Sequence, residues 1–545
     1  MKLNKIERLK ANLKPIDYLQ KLNSLNFANL EESDRFYLKN FGIYTQSQRV
    51  DEFMLRVRVA GGRINIDKLE AILQIAKEFN AKIILTARAQ IELQKLTPQN
   101  ILNAYLKLQD SGLTSWQTLT DNFRNIVTDV YDGVGVECQI EAYSLILQMQ
   151  ELFLKKAQYT GMVPRKFNTA ICGSKSVATS FFGNDCYFAL AKKEGVYGFN
   201  LYLGGKNNKV AKCANIFVRQ EEAVEIFSAV IEAYLKYGFR GSRTKARLHF
   251  LIESVGIDGF VEYIKEFYTK GLNSAGRLIT AKQDNRDDFY KTKDGKYAYR
   301  FKSKFAEVDI ASVESIIKFA KKEQLELRVG VDQNIYIFGL DKKEAPLKGL
   351  SSNQNMLVCA GSRYCFFSLF DTKERVEELH LKKINKYGIK VGYSGCLKGC
   401  GRHNFSDIGL VGIRTNLYGG LELGVRLFLG GLYTDGQSGA RLIYWAVPLR
   451  ALNSIINVII EEFEASGFND FEEFGKEFLA KFESEFLAFW FLAKLYTKQK
   501  NTLKEPTAFN YLLEGNNAII SEPKEEKSRL YETIKELERR VYSFK

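Results

Sequence analysis

Proline is scarce in this sequence, 7 among 545 residues, so long unstructured linkers are not expected. Long apolar runs are missing as well. The longest uncharged apolar stretches, such as FLAFWFLA at 487–494, fall far short of the ~20 residues that cross a bilayer. The first residues, MKLNKIERLKANLK, show no apolar signal core. The expectation is a cytoplasmic protein without membrane segments. Histidine comes to three, His249, His380 and His403, too few to carry proton transfer at a site, and each alone reads as structural. No Gly-x-Gly-x-x-Gly in strand–helix context marks a dinucleotide or flavin site. No C-x-x-C marks a catalytic thiol pair, and no basic run interleaved with aromatics marks a nucleic-acid surface.

What the sequence holds in excess is positive charge. Lys and Arg number 79 against 64 Asp and Glu, a net charge of +15. That charge fits an acidic protein partner drawn in by electrostatic steering, buried anionic ligands, or a solvated basic surface. The length suffices for roughly three or four domain-sized units. Eight cysteines are present, and without a secretory signal a disulfide framework is not expected. Cys138, Cys172, Cys186 and Cys213 are well separated and read as buried apolar residues. The other four fall within 42 positions, as Cys359-x5-Cys365 and Cys396-x3-Cys400.

The chain repeats itself. FMLRVRVAGGRINIDKLEAILQIAKEF, from 53, aligns without a gap on YAYRFKSKFAEVDIASVESIIKFAKKE, from 297, an offset of 244. Arg56 meets Arg300, Ile72 meets Ile316 and Ala76 meets Ala320. Each copy predicts a strand, a helix with apolar residues at helical spacing, and a second strand, KIILTA or LELRVGV. A second repeat sets GFNLYLGGK (198–206) against GVRLFLGGL (424–432), an offset of 226. Duplication points to a pseudo-twofold assembly with a site between halves of different chemistry, basic residues in the first and cysteines in the second.

Four clustered thiolates suit a 4Fe-4S cluster, which takes one cysteine per iron. Gly395, Gly399 and Gly401 would let backbone approach it and offer N–H groups to its sulfides. Zinc, which favours tighter knuckles, and unliganded thiols stay open on spacing alone.

CAGSRYC at 359–365, followed by GCLKGCGRHNFSDIGLVG from 395, resembles the cluster signature of the siroheme-dependent nitrite and sulfite reductases. RFYLKNFGIYTQ (35–46), FMLRVRVAGG (53–62), TARAQ (86–90), DNFRN (121–125), VPRKFN (163–168) and RGSRTKARLHFLIESVG (240–256) follow in that family's order. The resemblance covers roughly 30–470 and is closest to the ferredoxin-dependent nitrite reductases. It implies an α+β fold, internally duplicated, in which ferredoxin-like half-domains and α/β modules binding siroheme and a 4Fe-4S cluster form a pseudo-twofold assembly. The implied segments are an N-terminal arm (1–50), a first half-domain (51–115), a first siroheme-binding module on the substrate side (116–285), a second half-domain (286–345), a second module with the cluster cysteines (346–470) and a C-terminal helical extension (471–545).

The resemblance also implies roles. Siroheme carries eight carboxylates, and buried charge needs partners. Arg88, Arg165, Arg243 and Arg247 are the implied carboxylate ligands, since a guanidinium grips carboxylate bidentately. Arg56, Arg124, Lys166 and Asn168 surround the small anionic substrate. Cys359, Cys365, Cys396 and Cys400 ligate the cluster, and Cys400 is the thiolate shared with siroheme. Sulfite reductases usually carry a second lysine where Asn168 stands; one cation fewer suits nitrite, with sulfite the alternative. A non-catalytic zinc-binding protein is a distant third reading. The implied donor is an acidic electron carrier, ferredoxin, serving a monomer. The chain departs from the family at Ala60, Ala89, Glu92, Leu397 and Lys398. A carboxylate at Glu92 would repel the siroheme carboxylates unless paired. Beyond 471, Leu530, Ile534, Leu537 and Val541 mark one helical stripe of unknown function.

Overall fold

The computed structural model describes residues 3–282, 287–352, 355–416, 420–431 and 439–500. Two compact units divide the chain, one built on Met1–Ser352 and the other on the chain from Asn353 onward. No helix among the described residues is long and apolar enough to cross a membrane.

In the first unit the 244-residue repeat becomes two half-domains. Asn65 and Asp309 occupy equivalent N-caps and accept from the Asp67 and Ser312 N–H groups. The helices that follow are Ile66–Glu78 and Ile310–Glu323. One buries Leu69, Ile72, Leu73 and Ala76, the other Val313, Ile316, Ile317 and Ala320, the stripe that the periodicity predicts. Both end beside a left-handed residue, Asn80 (φ 51°) and Gln324 (φ 54°).

The two sheets complete each other. Ile43–Gln46, Arg49–Val57, Ile91–Leu96 and Lys82–Leu85 take their fifth strand, Glu307–Val308, from the second copy. Phe289–Lys291, Tyr297–Phe301, Ile335–Leu340 and Glu326–Val329 take theirs, Arg63–Ile64, from the first. The exchanged strands are the same strand of the repeat. Apolar residues of both copies share one core, and the two helices are bridged by Lys77–Glu314 (2.9 Å) and Lys321–Glu70 (2.7 Å). Neither half-domain can leave without taking a strand from the other, so both stay in one unit.

The 226-residue repeat is a second duplicated sheet. In the first unit Phe123–Val127, Phe167–Cys172 and Cys186–Lys193 run parallel, and Val196–Leu203 and Lys212–Val218 continue antiparallel. In the second unit Met356–Val358, Val391–Ser394 and Ile408–Thr415 run parallel, with Glu422–Leu429 and Arg441–Pro448 antiparallel. A long helix follows each sheet in sequence, Ala223–Tyr237 and Leu449–Ser466. The aromatic run near 490 forms the helix Ser484–Lys500, whose Trp490 is buried and donates its indole N–H to Glu462 at 3.0 Å. The stripe at Leu530–Val541 lies outside the described residues. One cysteine expectation fails: Cys172 and Cys186 are buried and Cys138 half-buried, but Cys213 is exposed on the edge strand Lys212–Val218, where alternate residues face outward.

Candidate functional site

The first unit gathers arginines from distant segments. Arg56 lies near the end of strand Arg49–Val57, Arg88 in the turn before Ile91–Leu96, and Arg124 on Phe123–Val127. Arg165 and Lys166 immediately precede Phe167–Cys172, whose second residue is the buried Asn168. Arg243 sits in the turn before helix Leu248–Lys265 and Arg247 at that helix's N-cap.

Buried carboxylates aim these side chains. Asp121, fully buried, takes Arg243 through both oxygens (2.6 and 2.9 Å) and Arg165 at 3.1 Å. From below it takes Lys10 at 3.1 Å, an ammonium itself buried and paired with Glu7 at 2.6 Å. Burial alone would raise the Asp121 pKa, but Lys10, Arg243 and Arg165 outweigh it and bring it to about 2. Asp185, also buried, takes Arg247 through both oxygens (3.1 and 2.5 Å) and accepts the Asn168 backbone N–H at 2.8 Å. Arg88 donates to Asn184 at 2.8 Å and to the Asn125 carbonyl. Glu92, the acid that needs a partner, has one: it faces Arg56 across the strand pair and accepts from it at 2.5 Å, while Gln94 donates to its other oxygen at 2.7 Å.

Arg124 differs from the rest. It is the buried one among these arginines and donates to the Thr118 and Thr120 carbonyls; its Nε, like that of Arg56, has no hydrogen-bond partner. Burial first, then Arg56, Arg88 and Arg165, push its pKa well below the ordinary guanidinium value. The site thus concentrates positive charge around a buried donor, the condition for binding an anion. Arg58, two residues beyond Arg56, is structural: it donates to the carbonyls of Trp116 (3.2 Å), Gln117 (3.0 Å) and Phe123 (2.9 Å).

The structure therefore brings Arg56, Arg88, Arg124, Arg165, Arg243 and Arg247 into one network of shared charge, with the half-buried Lys166 next to Arg165 in sequence. Sequence reasoning missed Asp121, Asp185 and Lys10. The acid that opens the motif DNFRN, three residues before Arg124, was the available signal for the first.

In the second unit the four cysteines follow parallel strands. Cys359 comes directly after Met356–Val358, and Cys396 two residues after Val391–Ser394. Cys365 closes the short helix Gly361–Tyr364. Three sulfurs accept a backbone N–H from two residues on: Cys359 from Gly361 (3.4 Å), Cys365 from Phe367 and Cys396 from Lys398. Gly395 N–H adds a second bond to Cys359 at 3.2 Å. Burial raises the Cys365 thiol, and Cys359 and Cys396 raise it further; burial raises Cys396, and Cys400 and Cys359 follow. The four thiols are thus electrostatic neighbours. Cys400 is exposed. Among the described residues no three His, Cys, Asp or Glu side chains converge on one ion position; a cluster, with one cysteine per iron, asks for neighbouring rather than coincident thiols. Gly395 and Gly401 are also closely packed, since a Cβ on Gly395 would lie 1.8 Å from Ser368 Oγ and one on Gly401 2.2 Å from Tyr393 O. The buried histidines are structural. His249 contacts Gly204 O (3.0 Å) and Glu253 (2.9 Å), and His403 packs on Phe428, its pKa lowered to about 4 by burial.

Residues 119–271 match the family description "Nitrite and sulphite reductase 4Fe-4S domain", and residues 46–111 match "Nitrite/Sulfite reductase ferredoxin-like half domain". The chain thus carries two segments similar to domains of the nitrite and sulfite reductases, enzymes that are oxidoreductases. It is 28% identical over 466 residues to the ferredoxin–nitrite reductase of Synechococcus elongatus, covering 79% of this chain and 90% of the relative. It is 24% identical over 526 residues to a ferredoxin sulfite reductase of Mycobacterium tuberculosis, covering 85% and 92%. The solved structure of the Mycobacterium tuberculosis NirA protein superposes with a TM-score of 0.79 at 22% identity, covering 89% of this chain and 97% of NirA; the fold is the same.

The match to the 4Fe-4S domain description spans the first module, whereas the clustered cysteines lie in the second. Strand register shows what the first module holds instead. Leu203 faces Cys186 as Leu429 faces Ile408; Cys186 in turn faces Thr169, and Ile408 faces Val391. Val127 faces Ala170, and Leu357 faces Gly392. Counting along these ladders, Asp129 stands at the position of Cys359 and Ser174 at that of Cys396. Asp129 is buried, bonded to Ser174, and leaves one oxygen without a partner. Burial lifts its pKa from 3.8 to about 7. A raised carboxyl pKa favours folding at acid pH and loses that contribution as pH rises towards the folded value. Asp129→Asn should therefore gain about 2–4 kcal/mol at pH 8 and nothing below pH ~4. Urea denaturation across that range measures it.

Proposed function

We propose that this enzyme reduces nitrite to ammonium, with siroheme bound by the cationic pocket of the first unit and a 4Fe-4S cluster held by Cys359, Cys365, Cys396 and Cys400, the last shared between the two groups. The observation that carries this reading is Arg124, a buried guanidinium among other cations whose nearest carboxylates are engaged elsewhere. Bound siroheme and cluster would supply the iron that holds the substrate and the store through which single electrons are gathered. The overall change takes six electrons and eight protons per nitrite and releases ammonium and two waters.

The chain's own residues position and charge-balance. Arg165, Arg243, Arg247 and Arg88 would hold siroheme carboxylates, oriented for this by Asp121, Asp185 and Asn184. Arg56 and Arg124 hold the anion and stabilise charge as N–O bonds break. Lys166 can hand over a proton, which an arginine retains too firmly to do. In the cysteine site the backbone N–H groups of Gly361, Phe367, Lys398 and Gly395 offset thiolate charge. Leu397, where the family usually has proline, leaves the donor at Lys398 in place.

Nitrite is favoured over sulfite by Asn168, which withholds the second lysine that a dianion would need. Purified, cofactor-loaded enzyme should show visible siroheme bands and a far higher kcat/KM for nitrite; a colourless active protein sinks the reading. Asn168→Lys should move preference toward sulfite, and unchanged preference removes that position as the discriminator. Ferredoxin is the proposed donor, drawn by the +15 charge. Ferredoxin-driven turnover should fall as salt rises from about 0.01 to 0.15 M, where the screening length shrinks from roughly 30 to 8 Å; turnover indifferent to salt argues against charge-led docking.

A further inference from the structure

The motif RFYLKNFGIYTQ belongs to the arm before the first half-domain. Helix Glu32–Leu38 passes there into a 3-10 turn, Lys39–Phe41, closed by Gly42 at φ 82°. The turn is fixed on two sides. Asn40 O accepts the Gln117 N–H at 2.7 Å, and Asn40 Oδ1 accepts the Asn122 amide at 2.9 Å. Ser115 donates to Phe41 O at 2.6 Å, and Gly42 O accepts the Arg56 N–H at 3.0 Å. A Cβ on Gly42 would lie 2.4 Å from Ser115 O, so backbone contact is close. Lys39 is thereby anchored to the strand of Arg56 and to the segment of Asp121 and Arg124.

The charges around the Lys39 ammonium are Arg243, Arg165, Asp121, Arg35 and, at the start of the preceding helix, Glu32, which Lys5 holds at 2.6 Å; the Tyr44 ring centroid lies 5.4 Å away. Asp121 is already shared by Lys10, Arg165 and Arg243. Among the described residues no carboxylate forms an ion pair with Lys39. Burial, then Arg243 and Arg165, lower its pKa to about 8. An ammonium carried on a fixed backbone turn near two guanidinium groups, with their carboxylate spent, is stabilised by an incoming anion.

We propose that Lys39 is a further anion-binding residue of this pocket, joining Arg165 and Arg243 on one carboxylate of the tetrapyrrole. The proposal rests on reading the pocket as the siroheme site. Iron-free uroporphyrin, an octacarboxylate, is the probe, titrated into the cofactor-free full chain by fluorescence. Lys39→Met should bind it about 10- to 100-fold more weakly than the parent at pH 7, and Lys39→Arg within about threefold. Parent affinity should fall as pH rises past 8, and Lys39→Met should lose that dependence. Thermal melts confirm that both variants fold. If the parent binds and Lys39→Met binds equally well, the proposal is overturned and the pocket reading stands. If Lys39→Met changes only the KM for nitrite, the lysine serves substrate and the proposal is likewise overturned. If the parent does not bind the probe, the pocket reading falls, and the proposal with it.

Discussion

Replacing Asp121 by asparagine should destabilise the first unit by about 3–5 kcal/mol, the cost of stripping a buried charge from its partners. Asp121 is fully buried and surrounded by Lys10, Arg165 and Arg243 at 2.6–3.1 Å. Asparagine keeps the volume but leaves three cations facing one another, with Glu7 compensating only Lys10. The pH dependence separates this from a packing defect. The Asp121 pKa is depressed to about 2, so its contribution is complete above the unfolded value near 4 and is lost as pH falls through about 2. The gap between parent and variant should be widest at neutral pH and narrow below pH ~4. Urea denaturation read on Trp116, a core residue of this unit, follows it; a gap independent of pH would show that charge is not the cause. A second consequence is functional. Arg165 and Arg243 lose the carboxylate that orients them, so uroporphyrin binding should weaken even where the variant remains folded.

Much of the architecture was legible because it is periodic. The helix stripe at 69, 72, 73 and 76 and its copy at 313, 316, 317 and 320 are local patterns, and both helices form where the spacing puts them. The exchange of strands between half-domains was not legible. Arg63–Ile64 and Glu307–Val308 are two residues each, too short for a period-two signal, and their pairing is decided by the packing of the paired helices. The site divides in the same way. The arginines were read from motifs in a characteristic order, and Arg56, Arg88, Arg124, Arg165, Arg243 and Arg247 do converge. Their carboxylate partners were not read; the sequence marks Glu92 only as an acid that needs a partner, without naming Arg56. Lys10 and Asp121 lie 111 positions apart and meet through tertiary packing alone; neither has a spacing that marks it. Cys213 was misread for a related reason: free cysteine is among the residue types most often buried, but the alternation of an edge strand decides which side each residue takes.

Replacing Arg124 by methionine should have the opposite profile: activity falls by about 10²–10³-fold, the cost of one transition-state charge donor, while stability of the cofactor-free protein hardly changes. Two hydrogen bonds, to the Thr118 and Thr120 carbonyls, are lost. Against that, the fold no longer confines a guanidinium that burial, Arg56, Arg88 and Arg165 all disfavour. A group whose charged form is disfavoured in the folded state costs stability, so its removal offsets the lost hydrogen bonds. On the proposed reading an anion would neutralise Arg124, and the arrangement follows the general opposition between a stable core and a poised site. The measurement is kcat and KM for nitrite at matched siroheme content, beside thermal melts of the cofactor-free proteins. A loss confined to KM would make Arg124 a ground-state anion clamp rather than a stabiliser of the reacting charge. A large fall in melting temperature with activity per bound siroheme intact would make it a structural arginine like Arg58, and the central observation behind the nitrite pocket would be gone.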